Sequence, residues 1–171
     1  MIPLRFPAVA CLGVALGAGA ALAAAWFFQL VVGLTPCPLC LDQRIPYYVA
    51  APLGLLLALG APRLGPRGVR AGLWLLAALM LGNMGLALYH AGIEWRFWQG
   101  PTACSGSAPV AVSDIMSALK TAHVPRCDEA AWRLFGLSMA GWNAVIAAGL
   151  AVVAIVGARS TREVRASSQR A

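Results

Sequence analysis

Four apolar runs, separated by polar segments of unequal length, set the architecture that the chain predicts. They extend from about Phe6 to Leu34, Leu41 to Ala61, Ala71 to Ala91 and Leu134 to Ala158. Each reaches the roughly 20 residues that, at about 1.5 Å of rise per residue, carry an α-helix across the hydrocarbon core of a bilayer. Pro46 and Pro52 interrupt the second run, but membrane helices tolerate proline where neighbouring helices or water satisfy the freed carbonyls. The expected fold is all-α: a membrane-spanning antiparallel four-helix bundle, one domain over residues 1–158 followed by a basic tail at 159–171. Two connections fall on one side of it, residues 35–40 and the long segment 92–133. In the long segment Val112, Ile115, Met116 and Leu119 repeat at helical spacing, with Ser113 as a suitable N-cap. That pattern predicts a short amphipathic helix, lying on the membrane surface or packed on the bundle.

Composition strengthens this picture. Of 171 residues 60% are hydrophobic and 11% charged, against about 25% charged in an average soluble domain. The net charge of +7 is not gathered with interleaved aromatics into a groove, which argues against nucleic acid as a partner. Its distribution instead orients the spans. Eight basic residues (Arg5, Arg63, Arg67, Arg70, Arg159, Arg162, Arg165, Arg170) and the single acidic Glu163 lie on the side of the termini. On the other side five basic residues are balanced by five acidic ones. Both termini are therefore expected in the cytoplasm. A cleaved signal peptide ending near AALAAAW is the competing reading of the N-terminus, but the apolar run continues through Trp26, Phe28 and Val32, beyond a typical signal core. Gly13 and Gly17 have the spacing that lets helices approach closely. The tail TREVRASSQR reads as polar, basic and disordered.

Topology sorts the five cysteines. Cys37 and Cys40 fall in the short outer connection, Cys104 and Cys127 in the long one, and Cys11 inside the first span, where it reads as a small buried apolar residue. Four of the five thus lie on the face where disulfides persist. Pairing Cys37 with Cys40 and Cys104 with Cys127 closes the smallest loops. A structural staple is a fair reading of the second pair. It fails for the C-x-x-C pair, whose tiny ring gains little chain entropy and whose spacing is that of redox-active thiols. Zinc would call for a second C-x-x-C or a Cys/His set, and c-type haem for a histidine where Leu41 stands.

With a helix beginning near Cys40, Arg44 falls one turn on, where its guanidinium and the helix N-terminus would both favour a Cys40 thiolate. Arg44 is otherwise a snorkelling interfacial residue. Electrons collected at this site need an outlet, and the sequence carries no nucleotide loop, haem motif or metal motif. A membrane quinone fits, with Arg44 as hydrogen-bond donor to its oxygen.

The segments CPLCLDQR, YHAGIEW, PTACSG and PRCDEAAWRLFGLSMAGWN resemble the bacterial DsbB family, quinone-reducing membrane partners of the periplasmic thiol oxidase DsbA. The resemblance implies an inner-membrane oxidoreductase using ubiquinone or menaquinone, with a DsbA-like thioredoxin-fold partner. It implies that the partner's thiolate attacks Cys104, that the released Cys127 attacks Cys37, and that Cys40 then faces the quinone beside Arg44. His90 belongs to the quinone pocket by the same resemblance, or is an ordinary histidine at a helix end. Met139 and Trp142 line that pocket, or pack in the core and against lipid. Asp128 and Glu129 raise the thiol pKa of Cys127, or are merely solvated. Two other readings stand beside this one: an enzyme resembling vitamin K epoxide reductase, whose reactive C-x-x-C is expected late in the chain, and a non-catalytic scaffold with structural disulfides.

Overall fold

The computed structural model describes residues 5–101, 104 and 126–168. Helix α1 spans Arg5–Leu30, α2 Pro38–Asp42 and α3 Ile45–Glu94; a minimal hairpin of β1 (Arg133–Leu134) and β2 (Leu137–Ser138) then leads into α4, Met139–Ser168. Among the described residues three helical stretches are long and apolar enough to cross a membrane, the middle one 57 residues long. That length is about twice what one crossing needs, and the chain resolves it by turning back. Gly65 adopts φ 65° and ψ 178° inside α3. Glycine accepts the positive φ, and Pro66 after it excludes the helical ψ. The two halves of α3 consequently run antiparallel: Gln43, just before its start, meets His90, near its end, at 2.9 Å.

The core is built from small residues and the outer surface from large ones. Ala18, Ala50, Ala77, Ala147, Ala151 and Ala154 are buried, together with Val14, Leu73, Leu76 and Met80, while Leu16, Leu30, Leu56, Leu59, Leu75 and Val152 are exposed. Water would penalise that arrangement; in lipid, where tails are as apolar as leucine, close backbone packing of small residues is what holds helices together. Glycines mark the closest approaches. A Cβ on Gly17 would meet Leu150 of α4, and one on Gly54 would stand 2.8 Å from the carbonyl oxygen of Cys11 in α1. Gly17 of the G-x-x-x-G pair thus lies at a true interface, and Cys11 is fully buried beside Gly54. Replacing Gly54 with valine therefore lowers stability by about 1–3 kcal/mol, seen as an earlier thermal aggregation midpoint in detergent. Gly85→Ala, which adds a Cβ into open space, leaves the midpoint within a degree or so of the parent on the scale of such surface changes.

Several boundaries differ from the sequence expectation, each for a local reason. Helix α1 stops at Leu30, four residues early, and Gly33 at φ 80° turns the chain out of it. The connection expected at 62–70 is helical on both sides of Gly65. The last helix starts at Met139 rather than Leu134, because Phe135 and Gly136, both at positive φ, form a two-residue turn that pairs Arg133 with Ser138. Such a turn matches the twist of the flanking strands. Ser138 then caps α4, its Oγ accepting the Gly141 N–H at 3.1 Å. Helix α4 continues to Ser168, so most of the tail expected to be disordered extends a helix. The amphipathic helix expected around 112–119 lies outside the described residues.

Candidate functional site

The segment Pro36-Cys37-Pro38 explains the local geometry of the first cysteine pair. A residue before proline is driven to extended backbone, and Cys37 has φ −75° and ψ 165°. Proline at the first helical position costs no hydrogen bond, so α2 starts directly after Cys37. Cys37 becomes its N-cap, the sulfur accepting the Cys40 N–H at 3.2 Å. The two sulfurs lie 2.7 Å apart as free thiols, Cys37 donating to Cys40. That hydrogen bond to Cys40, reinforced by burial, pushes the Cys37 thiol above its ordinary pKa.

One part of the sequence expectation needs correction here. Helix α2 ends at Asp42 and α3 begins at Ile45 with Arg44 as its N-cap residue, so Cys40 and Arg44 do not share a helix at i and i+4. The chain turns between them, and the helix N–H serves Cys37 rather than Cys40. Arg44 is instead held from α1: its Nη1 donates to Gln29 Oε1 at 2.6 Å and its guanidinium lies over the Trp26 ring at 5.5 Å. Trp26 in turn donates to Tyr48 Oη at 2.8 Å.

Behind the thiols sits a buried polar array. Cys37 Sγ is 3.7 Å from His90 Nε2, and Glu94 Oε1 is 3.9 Å from the same nitrogen. The other ring nitrogen meets Gln43 Nε2 at 2.9 Å, Gln43 Oε1 accepts from Asn143 Nδ2 at 2.6 Å, and Asn143 Oδ1 accepts from Tyr47 Oη at 2.6 Å. Gln43, Asn143, Glu94 and Gln29 did not figure among the residues expected at the site. A signal for two of them was present in the sequence, since Gln29 and Asn143 are amides within otherwise apolar spans, where polar side chains are expensive and tend to be functional.

Cys40, Arg44, His90, Met139 and Trp142 all line one apolar cavity of about 200 Å³, closed further by Phe28. Cavities of about 150 Å³ admit a benzene ring, so the space suits the ring of a quinone, and Arg44 supplies a donor at its wall. Trp142 is fixed there by its Nε1–H, which donates to Leu134 O at 3.1 Å. A second cavity, of about 330 Å³, reaches Cys37, Cys40, His90 and Glu94 from the side of Arg126 and Glu129. The cysteine pair stands between the two.

Cys104 and Cys127 form a disulfide with their Cα atoms 5.0 Å apart. Both are buried in a single cluster with Cys37, Leu39 and Ile93, against which Cys40 packs. The long connection therefore folds its cysteines onto the C-x-x-C segment. Arg126 grips Asp128 through two hydrogen bonds, at 3.0 and 2.7 Å, and holds its carboxyl below the usual range. With that charge compensated, Asp128 is a poor source of repulsion for a Cys127 thiolate.

Two cysteine pairs packed together at one end of an apolar helical assembly, three of their four residues buried, define a membrane protein of thiol–disulfide chemistry. Comparison with known proteins gives the same answer more narrowly: residues 7–157 match the family profile described as Disulfide bond formation protein DsbB, and the chain belongs to that family. Among its relatives, the Disulfide bond formation protein B of Xanthomonas campestris pv. campestris is 37% identical over 142 residues, covering 78% of this chain and 80% of the relative. That of Marinobacter nauticus is 33% identical over 142 residues, covering 78% and 81%. Disulfide bond formation protein B 2 of Pseudomonas syringae pv. syringae is 30% identical over 139 residues, covering 75% of each. No solved structure matches the chain.

Proposed function

We propose that this protein is a quinone-dependent dithiol oxidase of the bacterial inner membrane, which reoxidises a periplasmic thioredoxin-fold thiol oxidase of the DsbA kind. The chain crosses the membrane four times as an antiparallel bundle, with both termini in the cytoplasm and both cysteine segments in the periplasm, the orientation favoured by the charge asymmetry. One observation carries the reading: Cys37, Cys104 and Cys127 share a buried cluster with Cys40 packed on it, and Cys40 also lines the apolar cavity beside Arg44. Structural staples need neither the shared cluster nor the cavity.

The relay follows from thiolate attack on disulfide sulfur. A partner thiolate attacks Cys104; the bond to Cys127 breaks and the electron pair leaves on Cys127. Cys127 attacks Cys37 of an oxidised Cys37–Cys40 bond, and the pair leaves on Cys40. The partner's second thiolate then attacks the partner sulfur joined to Cys104, closing the partner disulfide and leaving the pair on Cys104; the Cys104 thiolate attacks Cys127, re-forms their disulfide and leaves the pair on Cys37. A quinone, ubiquinone or menaquinone, supplies the acceptor for two electrons and two protons. Arg44 would bind and orient it, Met139 and Trp142 would form part of its site, and the apolar wall would exclude water. The net change is partner dithiol to disulfide and quinone to quinol.

The test is direct: purified chain, a reduced thioredoxin-fold oxidase and a short-chain quinone, with quinone absorbance followed in time. Turnover supports the reading, and a flat trace leaves only a scaffold. Arg44→Ala separates the quinone end from the thiol end. Loss of a hydrogen bond from a charged donor lowers kcat/KM for quinone about tenfold to hundredfold, while thiol exchange between the two cysteine pairs, followed by mass spectrometry, keeps its rate.

A further inference from the structure

The array behind the thiols has a direction. Tyr47 donates to Asn143, Asn143 to Gln43, and the Gln43 amide N–H₂ faces His90 Nδ1. With that lone pair engaged, a neutral imidazole carries its proton on Nε2. Nε2 is the atom that faces the chemistry: Cys37 Sγ at 3.7 Å and Glu94 Oε1 at 3.9 Å, with the backbone of Cys127 also against the ring. Cys37 Sγ already accepts the Cys40 N–H, so the ring offers this sulfur a second donor. Gln43 and His90 are almost wholly buried, and a set of amides at this depth is costly unless each group is satisfied.

We propose that Gln43 and Asn143 are positioning residues for the relay: they hold His90 as its Nε2–H tautomer, so that the ring stabilises Cys37 when that sulfur leaves as a thiolate. The chemistry, though not the tautomer, rests on the function proposed above. In the step concerned, a Cys104 thiolate attacks Cys127 within a Cys37–Cys127 disulfide. The Cys104–Cys127 bond forms, the Cys37–Cys127 bond breaks, the electron pair leaves on Cys37, and no proton moves. A thiolate appears where the Cys40 N–H already points and His90 Nε2 lies 3.7 Å away. The same tautomer withholds the lone pair that a metal ion would need from His90, although the donor atoms of Cys37, Cys40 and His90 lie within 4.8 Å of one another.

Asn143→Asp is nearly isosteric and reverses the line. A carboxylate accepts from Tyr47 but cannot donate to Gln43, so the Gln43 amide turns over, presents Oε1 to the ring and draws the proton to Nδ1. The chain has two histidines; with His123 replaced by glutamine, a ¹⁵N-histidine label reports His90 alone. The spectrum of detergent-solubilised protein is expected to show Nε2–H in the parent and Nδ1–H in Asn143→Asp. In the quinone assay Asn143→Asp is expected to slow turnover about tenfold to hundredfold, and to cost nothing further in a His90→Ala background. A parent spectrum with Nδ1–H overturns the proposal, and so does an Asn143→Asp penalty of equal size with and without His90. The spectrum needs neither quinone nor partner, so a chain that shows Nε2–H yet reduces no quinone refutes the proposed function and leaves the tautomer standing.

Discussion

In the Cys40→Ser chain, quinone reduction is expected to fall by at least about 10³-fold, the scale on which removal of a nucleophile acts. The expectation comes from position. Of the two sulfurs in the C-x-x-C segment, Cys40 lines the apolar cavity with Arg44 and Trp142, whereas Cys37 faces His90 and the second pair. The hydrogen bond to Cys40 and burial raise the Cys37 thiol above its ordinary pKa, which disfavours charge on that sulfur. A serine hydroxyl fills the same space but does not ionise near neutral pH, so geometry survives and chemistry does not. Cys11→Ser provides the control: Cys11 is buried in the α1–α3 contact beside Gly54, away from the cavity, and turnover persists in that variant. Stopped-flow absorbance with the reduced partner measures both. Quinone reduction at near-parental rate without Cys40 would remove the cavity from the mechanism.

How far the site could be read from the sequence depends on what kind of distance separated its parts. Cys37, Cys40 and Arg44 were legible because they are near neighbours in the chain, and local spacing carries their chemistry. Even there the sequence implied a single helix, and the turn between Asp42 and Ile45 changed which sulfur the helix N–H serves. The apolar runs were legible because bilayer thickness imposes their length. The turn at Phe135–Gly136 was not, since an aromatic residue at positive φ is no ordinary turn signal. Least legible was the array of Tyr47, Asn143, Gln43 and His90, whose members lie up to 100 residues apart. A lone amide in an apolar span announces that a partner exists without saying which one. Only the packing of α4 against α3 supplies it.

A chain that keeps Cys37 and Cys127 beside the buried Cys11, made by Cys40→Ser and Cys104→Ser, is expected to join Cys37 to Cys127 in one intramolecular disulfide on mild oxidation, as the major species in non-reducing peptide mass spectrometry. The two residues are 90 positions apart in sequence, so loop closure disfavours the bond in a disordered chain. The fold removes that cost: both sulfurs are buried in one cluster, and the Cys127 backbone and Cys37 Sγ face the same imidazole. A disulfide forms only where Cα atoms come within about 7 Å, which makes the product a ruler for the relay. In the parent, Cys127 is held by Cys104; cutting that bond frees it to turn toward the neighbour it already packs against. Cys11, in the helix core, stays reduced in the same experiment. If the double variant yields only intermolecular dimers or free thiols, the two cysteine pairs do not exchange directly, and electrons from the long connection must reach Cys40 by a route other than Cys37.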